Sequence, residues 1–544
     1  MPRSSRRKSG RKLKSKRGSK DTKVRYQGQG CRSKAVSLYP YQRSVAAWFK
    51  SHPSQKGLLV QFGTGTGKTL LAANLASMML KEGTVSRVLV ITPTSLIENF
   101  KKAILQCSGH STISEDDYLL ESYGRMVNML KAREDIKGTR DRAVKEAIAK
   151  KYPDVGWLRP VNMEDTLLII DEAHNLKNKD SQRTKALLPI ARSAKHVLLL
   201  TATPFVNSVA DIAPLMRMIV KDTKLKLWPV EHTAFKQRYM EKPMAYRRAV
   251  KNHIAYLYKD ERGLKPHVVR HIRKVDLKKE QVDMIRAIRK EMGEELAGLL
   301  RAYLREEKQL RGKDLTRLNA FLVRIRQVAN TLHGECSPKV AALVEKVKEG
   351  PKPAVIYSEF KDKGVETVMA CLKKEGVPKD KIAYFHGGLS KAQRDVLIRD
   401  YNAGDYDYLL ITSAGSEGLS LKATRQVHLL EPYWNMAKIV QVLGRGVRVD
   451  SHGHLAKKNR RVDVYYWMSV VPDELRDGKK EDVTILEPDL HVWRAAQRKA
   501  KDMEEFDKRH AAVSIPLEDV PKEKKKTKTS RAAYLSVIPQ RVKK

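Results

Sequence analysis

The chain has 544 residues, with 107 Lys+Arg against 62 Asp+Glu and a formal charge of +45. At ~150 residues per domain, that length implies two to four domains with room for large cores. No run approaches the ~18 apolar residues of a membrane span, and the N-terminal MPRSSRRKSG lacks a signal peptide's apolar stretch. Cys31, Cys107, Cys336 and Cys371 lie far apart, which indicates neither a zinc site nor a disulfide framework. Secreted, membrane-spanning and zinc-finger classes drop out, and the charge points to a polyanionic partner.

Residues 1–34 carry many Lys and Arg with Asp21 as their acid, and are expected to be a disordered basic tail. Residues 35–210 predict a first α/β domain, with a short helix near 37–50, strands at 57–62, 87–92, 166–170 and 196–200, and a helical insertion at about 111–160. Residues 211–350 then read as a basic helical block, its apolar residues spaced by three and four. A DNA wedge or clamp and a brace between domains are both open readings of it. Strands at 354–357, 381–385, 408–411, 426–430 and 462–467 predict a second α/β domain over 351–483. A terminal helix is expected at 484–515 and a second basic tail at 516–544.

LLVQFGTGTGKT sets a buried strand before Gly63, Thr64, Gly65, Thr66, Gly67, Lys68 and Thr69, with a helical run behind. Such a loop aims backbone N–H groups at phosphates at a helix N-terminus. Lys68 would contact the β/γ-phosphates and Thr69 would hold Mg²⁺. Phe62 occupies the position where GxxxxGK[ST] begins with glycine. TLLIIDEAHN ends a second buried strand in Asp171, suited to the Mg²⁺ shell, and Glu172, suited to polarising water as general base. His174 could link this site to neighbouring loops. ATP hydrolysis is the implied chemistry.

These runs, in this order, resemble superfamily 2 helicases and translocases over most of 37–470. LYPYQ, with Gln42, resembles the adenine-sensing motif, and that family's phosphate loop often lacks the first glycine. ITPTSLIENF, with Thr92, Pro93 and Thr94, and ESYGR, with Tyr123, resemble nucleic-acid contact loops. LLLTATPFVNS resembles the coupling motif, through Thr201 and Thr203. In the second half YFHGG, with Gly387, and LLITSAGSEGLSL, with Thr412, Ser413 and Gly418, resemble backbone contacts. QVLGRGVR matches QxxGRxxR and implies that Gln441, Arg445 and Arg448 face the γ-phosphate as the second domain closes.

The resemblance therefore implies two RecA-like parallel-sheet domains forming a nucleotide cleft, with ATP and Mg²⁺ as cofactors. TPFVNS and EPYWN are similar to the SWI/SNF-like branch, and the layout is similar to helicase-like ATPases of nucleocytoplasmic large DNA viruses, including the poxvirus-type early transcription factor small subunit and nucleoside triphosphatase. It implies a nucleic-acid motor gripping the phosphate backbone, DNA ahead of RNA, in viral transcription. A transcription-factor subunit or RNA polymerase would be its protein partner, with no membrane. The implied location is the virion and host cytoplasm, or the nucleus if the chain is not viral. An RNA helicase and a non-enzymatic DNA-packaging scaffold on a decayed motor fold are the rival readings.

Overall fold

The computed structural model describes residues 38–63, 65–108, 114, 117–152, 163–206, 208–257, 266–304, 312–412, 421–432, 451–476 and 486–518. Six strands form the first sheet: β1 (Gly57–Phe62), β2 (Arg87–Thr92), β3 (Tyr118–Ser122), β4 (Thr166–Asp171), β5 (His196–Thr201) and β6 (Ile254–Leu257). Their order is β3-β2-β4-β5-β1-β6 and every ladder is parallel. Alternate residues feed opposite cores. Leu59, Leu89, Leu168 and Leu199 pack on one face. Leu58, Val88, Leu167 and Leu198 pack on the other. A sheet buried on both faces needs helices on both, which is why these strands read as unbroken apolar runs.

The helices of eight residues or more in this half are α1 (Pro40–Ser51), α2 (Lys68–Lys81), α3 (Ile97–Ser108), α4 (Tyr123–Gly138), α5 (Arg142–Lys151), α6 (Gln182–Ser193), α7 (Ile212–Ile219) and α8 (Pro243–Val250). The stretch expected to be a helical insertion begins instead with β3, an edge strand whose Thr92↔Ser122 pairing extends the sheet.

The second sheet contains β7 (His267–Asp276), β10 (Ala354–Ser358), β11 (Ile382–Phe385), β12 (Tyr408–Thr412), β13 (Gln426–Leu429) and β14 (Arg461–Val470), in the order β11-β12-β10-β13-β14-β7. Two short strands, β8 (Thr331–Leu332) and β9 (Glu335–Cys336), form a separate antiparallel pair. Among the described residues, the helices of this half are α9 (Lys279–Leu304), α10 (Gly312–Asn330), α11 (Pro338–Glu349), α12 (Thr367–Lys374), α13 (Lys391–Ala403) and α14 (Pro488–Val513).

The 211–350 block is thus not purely helical: β6 completes the first sheet and β7 the second, and the changeover lies between them rather than at 210. Helical periodicity dominates 279–330, and the edge strands β6, of four residues, and β7, of ten, lie before it. α9 and α10 pack together through Ile285, Leu296, Leu318 and Ile325, and the same cluster takes in Val471 and Leu486 beyond the second sheet. The expectation of no disulfide also fails, because the fold brings Cys336, at the end of β9, against Cys371 on α12, bonded across a separation of 35 residues. Spacing cannot reveal a pair that tertiary packing assembles.

α14 belongs to both halves. Its Leu490, Trp493 and Ala496 enter the core of the second sheet, while Met503 and Phe506 enter that of the first. Just beyond it, Ile515 N–H donates to Ile254 C=O of β6 at 2.9 Å. No helix among the described residues is long and apolar enough to cross a membrane.

Candidate nucleotide site

β1 delivers the chain to the glycine loop, and α2 begins at Lys68 with Gly67 as its N-cap in the left-handed conformation (φ 77°). A Cβ at Gly67 would sit 2.5 Å from Gln42 Nε2, so both backbone angle and space require glycine there. Gln42, on α1, is fully buried. Its Nε2 donates to the carbonyls of Thr66 (3.2 Å) and Gly67 (3.0 Å), and its Oε1 accepts from Tyr39 N–H at 2.8 Å. Gln42, expected to sense adenine, thus has a role the sequence did not reveal: its amide braces the loop. Tyr41 adds to it, its hydroxyl donating to Thr66 C=O at 3.0 Å.

Inside the loop, Thr66 Oγ1 donates to Gly63 C=O at 2.7 Å, and Lys68 Nζ donates to the carbonyls of Phe62 (3.0 Å) and Gly63 (3.2 Å). Gly65 has φ 78°, and Thr69 is half-buried on the first turn of α2. Thr64 lies outside the described residues.

Asp171 ends β4 across the carboxyl edge of the same sheet. Thr92 Oγ1 donates to its Oδ2 at 3.3 Å, and Glu172 N–H donates to its Oδ1 at 3.0 Å. Burial holds the Asp171 carboxyl well above the usual carboxylate range; neighbouring Glu172 adds to the rise and Lys68 opposes it. That interaction places the loop ammonium and the strand-end carboxylate in one electrostatic site. Glu172 itself stands in the left-handed region (φ 51°, ψ 48°), which costs a side-chain-bearing residue roughly 1 kcal/mol or more. His174 Nδ1 lies 3.1 Å from Thr201 Oγ1 and 3.4 Å from Glu172 Oε2. Thr203 N–H donates to Thr201 Oγ1 at 3.1 Å, and the buried Thr203 hydroxyl has no hydrogen-bond partner among the described residues. His174, Thr201 and Thr203 thus come together beside Glu172.

An oxygen-rich set of one buried carboxylate and one hydroxyl suits Mg²⁺, which takes one or two protein ligands and completes its shell with phosphate and water. The excess negative charge on Asp171 and Glu172 is what a divalent cation would neutralise. No group of three or more His, Cys, Asp or Glu occurs in metal-binding array among the described residues.

The expected nucleic-acid contacts divide. Thr94 and Gly387 are exposed and Pro93 is half-buried. Thr92 and Thr412 are buried at their strand ends. Tyr123 corrects the expectation: it is buried at 4% exposure, and its hydroxyl donates to the carbonyls of Asp171 at 2.7 Å and Glu172 at 3.2 Å. A short motif cannot show that a tyrosine at the start of α4 turns inward. Ser413, Gly418, Gln441, Arg445 and Arg448 lie outside the described residues.

Residues 338–450 match the helicase conserved C-terminal domain. A mimivirus protein named as an ATP-dependent RNA helicase, L538, is 31% identical over 340 residues, covering 60% of this chain and 74% of that protein. The termination factor NPH-I homologue of African swine fever virus (Tick/Malawi isolate) is 22% identical over 533 residues, covering 79% of this chain and 72% of its own length. The Sulfolobus solfataricus SWI2/SNF2 ATPase core, solved with double-stranded DNA, aligns at TM-score 0.34 and 18% identity, covering 82% of this chain and 90% of that one. The SNF2-related domain spans residues 41–331, more than half of the sequence, and the chain belongs to that family of helicase-like ATPases.

Proposed function

We propose that the protein is an ATP- and Mg²⁺-dependent motor that moves along the phosphate backbone of nucleic acid, DNA in preference to RNA, in viral transcription. The observation that carries the reading is the electrostatic interaction of Lys68, at the start of α2, with Asp171, at the end of β4. Lys68 would bind the terminal phosphates, Thr69 and Asp171 would hold the cation, and Glu172 would orient and deprotonate the attacking water. When bound, Mg²⁺ supplies charge neutralisation at the phosphates. Gln441, Arg445 and Arg448 would complete the site from the second domain, tying hydrolysis to closure. His174, Thr201 and Thr203 would relay the state of that site. The exposed Thr94 and Gly387 would lie along the nucleic-acid path. The charge of +45 supports a polyanionic track, and a backbone grip implies weak sequence preference with strong salt sensitivity.

Relatives named as viral helicases and as a termination factor support a transcriptional role in the virion or host cytoplasm. The helicase L538 is named for RNA, which keeps an RNA track as the second reading. Phosphate release should be measured on the full chain with single- and double-stranded DNA and with RNA, beside Lys68→Ala. Stimulation by DNA that exceeds RNA, and at least ~100-fold loss in Lys68→Ala, are expected. Equal release by the two proteins ends the motor reading and leaves a basic nucleic-acid binder; stronger stimulation by RNA selects the second reading.

A further inference from the structure

Tyr123 opens α4 immediately after Ser122, the residue that ends β3 and caps the helix by accepting from Arg125 N–H. The ladder β3-β2-β4 brings this start of helix to the same edge of the sheet as the end of β4. Its ring is buried in the apolar cluster that also takes in Ile91, Met126 and Ala173. The exposed Arg183 of α6 lies with its guanidinium carbon 5.6 Å from the ring centroid. The ring is therefore gripped by apolar contacts and a cation–π contact, leaving the hydroxyl with a fixed direction.

That direction is the peptide on each side of Glu172. The hydroxyl meets the Asp171 carbonyl at 2.7 Å and the Glu172 carbonyl at 3.2 Å. The Glu172 carbonyl is also met by Asn175, from its N–H and from its side-chain Nδ2, each at 3.0 Å. Between these two carbonyls stands a non-glycine residue at φ 51°, a conformation that persists where its surroundings over-determine it. A left-handed turn at the end of β4 decides where the Glu172 carboxylate points, because backbone angles set the Cα–Cβ direction.

We propose that Tyr123 is a positioning residue, whose hydroxyl clasps the two carbonyls flanking Glu172 and so holds that side chain in the direction needed to act on water. This rests on the reading of Glu172 as general base. Asn175 is the second half of the clasp, gripping the same carbonyl from within the turn that follows. The role is distinct from touching nucleic acid, since the hydroxyl is engaged by the peptide bonds of the DEAH segment.

Full-length wild type, Lys68→Ala, Tyr123→Phe, Asn175→Ala and the Tyr123→Phe/Asn175→Ala double variant should be compared in steady-state ATP hydrolysis with saturating double-stranded DNA, alongside thermal unfolding. Phenylalanine keeps the packed ring and removes the hydroxyl. The expected result for Tyr123→Phe is a roughly tenfold or greater fall in kcat, with the ATP KM changed less than about twofold, because misdirection of a reacting group costs rate rather than binding. Both single variants should lower kcat, and the double should lower it by less than the product of the two, since they hold one carbonyl. An unchanged kcat in Tyr123→Phe overturns the proposal. So does a parallel change in kcat, KM and unfolding temperature with multiplicative effects, which would mark a general core defect. If Tyr123→Phe does not fold, Asn175→Ala decides: kcat at the wild-type level overturns the clasp. Equal activity of wild type and Lys68→Ala removes the ATPase reading and the positioning role together. A dead Lys68→Ala with a fully active Tyr123→Phe removes the positioning role alone.

Discussion

Both lobes bury charge, but on different terms. Around the second sheet, Lys339 Nζ meets Asp489 Oδ2 at 2.9 Å and Arg326 Nε meets Asp489 Oδ1 at 3.4 Å, with all three side chains at or below 5% exposure. Arg326 also donates to Pro432 C=O, and Ser469 N–H donates to Asp489 at 3.3 Å. Beside them Glu431 accepts from Ser358 Oγ at 2.8 Å, from Glu359 N–H at 3.2 Å and from Asn330 Nδ2. Burial raises the Glu431 carboxyl, while Lys339 and Arg326 pull it back. Two acids thus stand with two bases, each supplied with hydrogen bonds. In the first lobe burial and neighbouring Glu172 raise the Asp171 carboxyl, and together they outweigh the Lys68 ammonium that opposes them. The difference separates structure from work. The cluster around the second sheet matches acids with bases, whereas that at the end of β4 carries an excess of acid, as the proposed cation site would require.

The largest expected effect breaks the balanced cluster. Asp489→Ala would leave an ammonium and a guanidinium buried without their carboxylate, and about 3–5 kcal/mol of stability should be lost. Denaturant unfolding measures this. A loss under about 1 kcal/mol would mean that water reaches the cluster and that its charges are already solvated. Because Asp489 sits on the first turn of α14, the same variant should loosen that helix from the second sheet before the first.

At its other end α14 is held by a chain of hydrogen bonds that runs to β1. Gln61, next to the phosphate loop on β1, donates through Nε2 to Asp507 Oδ1 at 2.6 Å, while its Oε1 accepts from His510 Nδ1. Tyr246 OH pairs with the remaining ring nitrogen of His510. Burial pushes His510 down to about 3, and it acts the same way on His428, also about 3, and on His253, about 4. Each is neutral in the fold and takes up a proton once unfolded below pH ~6.5, so each contributes stability that is full above that pH and is lost on acidification. The raised Asp171 and Glu431 act in the opposite sense. His510→Gln isolates the effect. The variant, less stable throughout, should lose about 1.4 kcal/mol less than wild type between pH 7.5 and 5.5. Equal losses in both proteins would show that His510 already takes up its proton in the fold.

Legibility followed the same division. The phosphate loop, the DEAH strand end and both sheets could be read from contiguous runs, because a buried parallel strand, a glycine loop and a strand-end acid are local signals. The terminal helix was legible as a helix. Its bridging role was not, because it depends on Gln61 and Asp507, 446 residues apart. Nor were the balanced cluster, assembled from Arg326, Lys339, Glu431 and Asp489, or the Cys336–Cys371 bond. β6 and β7 were hidden for a different reason: edge strands need little hydrophobic pattern, and His267–Asp276 carries five cations among ten residues if its histidines are counted. Tyr123 was assigned to the wrong partner because the sequence places it on a loop without saying which way the ring turns.

The smallest expected effect is also the sharpest test of the comparison, because its sign is opposite to that at Asp489. Burial and neighbouring Glu172 push the Asp171 carboxyl up to about 7, so above that pH the cation-free protein carries a cost that an uncharged isostere removes. Asp171→Asn keeps the shape and an oxygen able to accept from Thr92 Oγ1, now at 3.3 Å from Oδ2. Without Mg²⁺ or nucleotide, the variant should unfold at higher denaturant, by about 1 kcal/mol at pH 8, while its ATP hydrolysis falls to background. The gain should be modest because the substitution also strips Lys68 of an opposing charge. A stability loss at Asp171 as large as that at Asp489 would refute the distinction between the clusters, since it would make the Asp171 carboxylate a structural partner of Lys68 rather than a strained ligand awaiting a cation.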